Sequence, residues 1–102
     1  MLHVLAFITA KPGQRAALLA AFNENVPHVR AEAGCISYGA ATDAAGFGAF
    51  QAQLGPDTFV VVEQWESPEA LTAHIAAPHM KDYAAKTKEL VANRAVNVLT
   101  PA

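Results

Sequence analysis

Two histidines flank a proline in the segment His74-Ile75-Ala76-Ala77-Pro78-His79, and Tyr83 follows four residues after the second. An imidazole titrates near neutrality, so these side chains suit proton transfer. A four-residue step is about one helical turn, which would put His79 and Tyr83 on one face. Either histidine could instead bond a backbone carbonyl or lie at the surface. Upstream stands Glu63-Gln64-Trp65-Glu66. In an extended strand Phe59, Val61, Glu63 and Trp65 share a face. Glu63 could then accept a proton inside a cavity, or simply sit at a wet strand end or pair with a base. Trp65 could be a planar wall for a planar ligand, core filling, or both. Asn23 and Asn97 could donate hydrogen bonds to a ligand oxygen.

Other chemistries lack their signatures. His-x4-His broken by proline matches no familiar zinc spacing, and no metal is expected. Cys35 has no nearby basic group to lower its pKa and reads as a small buried hydrophobe. Ser37 lacks a nucleophile context such as GxSxG. There is no P-loop, GxGxxG or CxxC. The formal net charge of −2 offers no basic footprint for nucleic acid. No apolar run approaches the roughly 18 residues of a membrane helix, and the strand-like N-terminus lacks a signal peptide's basic start. The single cysteine fits a reducing cytoplasm.

The elements that must position these residues follow from the apolar pattern. Residues 2–9 read as a strand, with Leu2, Val4, Ala6 and Ile8 on one side and His3, Leu5 and Phe7 on the other. Lys11-Pro12-Gly13-Gln14 opens a helix with proline in its first turn, and Leu19, Phe22, Val26, Val29 and Ala33 form its apolar stripe. Pro27 interrupts it, and it should stop near Gly34. Residues 35–43 form a second strand, with Ile36 and Tyr38 on one face and Cys35, Ser37, Gly39 and Ala41 on the other. A long Gly- and Phe-containing loop spans 44–56; loops of this length are often lids or contact arms. Residues 58–66 form a third strand. Ser67-Pro68-Glu69 starts a helix with a cap, a proline and an acid in the favoured positions. Pro78 breaks it and begins a third, expected to run to about residue 93, before a last strand over 94–99.

The order β-α-β-β-α-(α)-β is the split βαβ, or ferredoxin-like, pattern: an α+β domain with a four-stranded antiparallel sheet. Strands one and three carry the most large apolar residues, as the central pair in that topology should. Hydrophobic types make up 53% of the 102 residues, but 23 of them are alanine, and charged residues are only 16%. Leu, Ile, Val and Phe are still numerous enough for one folded domain, residues 1–102. Two or three helices can cover only one face of a four-stranded sheet. Yet both central strands are apolar on both faces, a patch larger than soluble monomers usually show. The simplest solution is a homodimer packed sheet against sheet, a dimeric α/β barrel.

The chain also resembles the antibiotic biosynthesis monooxygenase family. The residues that carry the resemblance are Lys11-Pro12-Gly13-Gln14, Glu32-Ala33-Gly34-Cys35 with Tyr38, Glu63-Gln64-Trp65-Glu66-Ser67, Leu71-Thr72-Ala73-His74 and Ala77-Pro78-His79-Met80, in the family's order across nearly the whole chain. The long loop, with Asp43-Ala44-Ala45-Gly46 and Phe50-Gln51, is similar to the quinol monooxygenase branch. The resemblance implies a homodimer with a ligand cavity between sheet and helices in each subunit. It also implies oxidation of hydroquinones or planar phenols by dioxygen without metal or flavin. In that frame His74 or His79 is the base. Trp65, Phe7 and the other aromatics are walls, and Tyr83, Tyr38, Glu63 or Asn23 contact the substrate. The haem-degrading branch fits poorly, because it uses a polar Asn where this chain has Phe7 and Ile8. Two other classes share the same features: a non-catalytic binder of planar hydrophobic ligands, and a His-dependent isomerase that needs no dioxygen.

Overall fold

Apolar residues on both faces of residues 2–9 and 58–66 predict a central strand pair, and the computed structural model, which describes residues 1–102, has that pair. The elements are β1 (Leu2–Ala10), α1 (Arg15–Arg30), β2 (Cys35–Ala41), β3 (Thr58–Trp65), α2 (Pro68–Ala76), α3 (Pro78–Thr87) and β4 (Val91–Leu99). The sheet order is β2-β3-β1-β4, all neighbours antiparallel. The fold is the α+β, ferredoxin-like one expected.

The two faces of the sheet differ sharply. Leu2, Val4, Ala6, Phe59, Val61 and Trp65 enter the core with Leu18, Phe22, Val26 and Val29 from α1 and Leu71 from α2. Trp65, Phe59, Leu18 and Val29 are fully buried. Each such burial contributes about 1.5–3 kcal/mol. The opposite parity of β1 and β3 contributes nothing to this core. There Leu5 pairs with Val62 and Phe7 with Val60, and Val62 is 44% exposed. One face is thus covered by helices, while the other is apolar and open in the single chain.

Several local expectations are corrected. Lys11 to Gly13 form a turn, with Gly13 at φ +76°, and α1 begins only at Arg15, so Pro12 precedes the helix. The buried stripe is Leu18, Phe22, Val26 and Val29, with Leu19 only partly buried. The helix ends at Arg30, four residues before Gly34. In β2 the register shifts between Cys35 and Ser37. That bulge turns Tyr38 into the core, opposite Glu63, while Ile36 is 48% exposed. The two therefore do not share a face, because one extra residue inverts the alternation. The last helix also stops earlier than expected, at Thr87. A short 3₁₀ turn (Lys88–Leu90) leads directly into β4.

The 44–56 loop is not slack. The Asp43 carboxylate accepts hydrogen bonds from the Leu54 and Gly55 amides at 2.9 and 3.0 Å. Those bonds hold its pKa below the ordinary range. Phe50 stands 91% exposed on a 3₁₀ turn within this loop.

Candidate functional site

The residue that organises the site lies in the turn between α1 and β2. The Glu32 amide bonds the Val29 carbonyl at 3.0 Å, and the Glu32 carbonyl accepts from the Cys35 amide at 3.2 Å. Gly34, at φ +85°, then reverses the chain, and its carbonyl accepts from the Glu66 amide at 2.9 Å. The backbone around Glu32 is therefore pinned to both α1 and the end of β3. Its carboxylate oxygen Oε2 lies 2.8 Å from Nδ1 of His74 and 3.1 Å from Nε2 of His79.

Two helix starts bring the histidines there. Ser67 caps α2 by accepting from the Ala70 amide at 3.2 Å, and Pro68 occupies the first turn. This sets His74 on the buried side of α2 with Leu71. Ala77 is extended, so the chain leaves α2, and Pro78 opens α3 at once. His79 thus sits on a different helix from His74, yet both reach one carboxylate oxygen.

His74 is 4% exposed and lies against aromatic rings: Trp65 at 4.6 Å between centroids and Tyr38 at 5.6 Å. The Trp65 indole N–H donates to Glu63 Oε1 at 2.9 Å. Burial raises the Glu63 pKa above the usual carboxylate range, and this indole bond partly offsets the rise. Burial, with the Glu63 charge adding to it, also pushes the Tyr38 phenol far up, so it stays protonated. Phe22 joins the group, stacked on Tyr38 at 5.3 Å and edge-on to Tyr83 at 6.3 Å. The free nitrogens of the two imidazoles differ. His79 Nδ1 is enclosed and has no hydrogen-bond partner. His74 Nε2 also has no partner but is not among the enclosed atoms.

Of the residues picked out in the sequence, the fold therefore gathers His74, His79, Glu63, Trp65 and Tyr38, with Tyr83 at the edge through Phe22. Asn23 is exposed on α1, and Phe7 is on the opposite face of the sheet, so neither joins them. The space between sheet and helices is filled by side chains. An open cleft of about 240 Å³ lies instead between α1 and α3, lined by Asn25, His28, His79 and Tyr83 among others. His79 is thus the member of the pair that borders the cleft. Glu32 is the member of this cluster that the sequence did not point to. It stood in a quoted motif, but no spacing rule links it to a histidine 42 residues away.

This arrangement can be set beside known proteins. Residues 1–86 match the family model described as Antibiotic biosynthesis monooxygenase. The chain belongs to the antibiotic biosynthesis monooxygenase family. This family member is 42% identical over 103 residues to the Escherichia coli (strain K12) protein named Probable quinol monooxygenase YgiN, covering 99% of this chain and 98% of the relative. Among solved structures it is similar to Rv0793 from Mycobacterium tuberculosis, with a TM-score of 0.79, 32% identity and coverage of 99% and 94%. It is also similar to PA3566 from Pseudomonas aeruginosa, with a TM-score of 0.80, 29% identity and coverage of 99% and 93%. Membership of this family makes the chain an oxidoreductase of the monooxygenase type. No helix is long and apolar enough to cross a membrane.

Proposed function

We propose that this family member is a quinol monooxygenase or oxidase that acts with dioxygen on a hydroquinone or related planar phenol and uses neither metal nor flavin. The observation that carries the reading is the carboxylate-held histidine pair, with His74 set against Trp65 in a mostly apolar interior. The printed name of the E. coli relative supports the substrate class. Dioxygen reacts slowly with neutral closed-shell organics, whereas a hydroquinone anion can reduce it directly. The protein's task is then to seat a flat ring, remove one phenolic proton and stabilise the anion. A histidine takes the proton, and the O–H electron pair stays on the substrate oxygen. In the monooxygenase outcome one oxygen atom enters the ring and the other leaves as water. In the oxidase outcome two electrons and two protons pass to dioxygen, giving quinone and hydrogen peroxide. A positive imidazole formed over the Trp65 ring gains cation–π stabilisation.

The open face of the sheet, with Leu5, Phe7, Val60 and Val62, is assigned to a second copy of the chain, and the working compartment to the cytoplasm. The functional test is oxygen uptake with menadiol by purified, metal-free protein. Uptake above autoxidation that is lost in His74→Ala is the expected result. Rates equal to background autoxidation across a panel of hydroquinones would refute the proposal.

A further inference from the structure

We infer that Glu32 is the positioning residue of this site, fixing His74 in the tautomer that leaves Nε2 as the base, with His79 as the second donor that holds the carboxylate. This rests on the base chemistry proposed above and narrows it to one histidine. An ionised carboxylate only accepts hydrogen bonds. With Glu32 Oε2 at 2.8 Å, His74 Nδ1 carries the hydrogen, and the lone pair of the neutral ring is on Nε2. His79 is held the other way round: Nε2 donates at 3.1 Å, and the lone pair is on Nδ1.

The surroundings of the two lone pairs separate the roles. His79 Nδ1 is enclosed and has no partner, although other atoms of this ring border the cleft between α1 and α3. His79 Nε2 is committed to Glu32. His74 Nε2 is unpartnered but not enclosed, on a ring that lies against the fully buried Trp65. Of the two free lone pairs only that on His74 Nε2 is unenclosed, so the substrate proton is assigned to it; with His74 only 4% exposed, the packed side chains around it must move to admit a ring. The imidazolium so formed stays 2.8 Å from the opposite charge on Glu32. Glu32 acts through the histidine and does not touch substrate. Its own position depends on two donors from two helices meeting at one oxygen.

The tautomer is read directly by nitrogen-correlated imidazole spectra of the full chain without substrate. His74 is expected to carry its hydrogen on Nδ1 in the wild type and in Glu32→Gln, which keeps an acceptor oxygen, and to move it to Nε2 in Glu32→Ala. Oxygen uptake with menadiol should show kcat down roughly 10- to 100-fold in Glu32→Ala, part of what a general base contributes, with KM changed by less than about twofold. Glu32→Gln should recover part of the loss. His74→Gln should cost far more than His79→Gln, which can still donate to the carboxylate. A wild-type His74 with its hydrogen on Nε2 overturns the inference, as do equal losses in the two histidine variants. If Glu32→Ala does not fold, the wild-type tautomer and the histidine comparison still decide. Wild-type protein with the expected tautomer but no uptake above autoxidation would refute the quinol reading and leave the Glu32–His74 geometry standing.

Discussion

Replacing Gly34 with alanine strikes the turn that holds Glu32, and its cost can be worked out in two parts. Gly34 is at φ +85°, where an L side chain costs about 1–2 kcal/mol. A Cβ there would also lie 2.5 Å from the Cβ of Ala70 on α2, with the Ala70 Cα and a Glu66 carboxylate oxygen each at 3.8 Å. Neither β2 nor α2 can yield freely, because the Glu66 amide is bonded to the Gly34 carbonyl and Ser67 caps α2 immediately after. Overpacking of this kind costs about 1–3 kcal/mol. Together the two parts predict a loss of about 2–5 kcal/mol, or a fall in Tm of roughly 10–30 °C for a domain of this size. Thermal unfolding followed by circular dichroism, at one fixed chain concentration, measures it. The clash part is separable. Ala70→Gly removes the struck methyl and alone costs about 1 kcal/mol as a helical glycine. In the double variant the two changes should therefore couple favourably by about 1–3 kcal/mol. A loss below about 1 kcal/mol in Gly34→Ala, or no coupling to Ala70→Gly, would refute this account of the turn.

Two further outcomes are expected from the core and the sheet. Burial holds Glu63 above its ordinary pKa of 4.5, so between that value and the raised one the native chain keeps a proton that the unfolded chain has lost. Its contribution is thus present at low pH and lost as pH rises. Glu63→Gln, which can still accept from the Trp65 indole, should gain on wild type in urea titrations at pH 8 relative to pH 4; parallel curves at both pH values would contradict the burial effect. Val62→Lys places an unpaired charge on the open face of the sheet, where a mated interface would lose about 3–5 kcal/mol. Light scattering should show a dimer in the wild type and a monomer in the variant, and a monomeric wild type at micromolar concentration would sink the sheet-to-sheet assignment.

The fold was legible where one physical signal ran unbroken. Greasy faces on both sides of residues 2–9 and 58–66 required central strands, and Ser67-Pro68 and Pro78 marked two helix starts at the residues where they occur. The reading failed where one residue changed the phase. The bulge before Ser37 inverts the parity of β2, so Tyr38 enters the core and Ile36 does not, although neither residue type announces it. Gly13 at positive φ keeps Pro12 in a turn when its type suits a first helical turn. At the site, the histidines, Trp65 and Glu63 could be found by type and period, whereas Tyr38 comes only with the family resemblance, because the period places it beside Ile36. Glu32 could not be found by type and period, because its partners come from residues 74 and 79, and only the packing of α2 and α3 beside the α1–β2 turn brings them together. Phe7 has the right chemistry for a wall but the wrong parity to reach these residues.

The sheet order also sets a condition on how the chain is made. β1 leaves the ribosome before either of its partners. Its Leu2 waits for Trp65, and its His3 for Leu99. Until β3 and β4 exist, a strand with two apolar faces has both backbone edges unpaired, the arrangement most prone to pair with another nascent chain. Such long-range pairing closes slowly. Early folding of α1 against the Val4 face of β1 would cover one of those apolar faces before β3 and β4 are made.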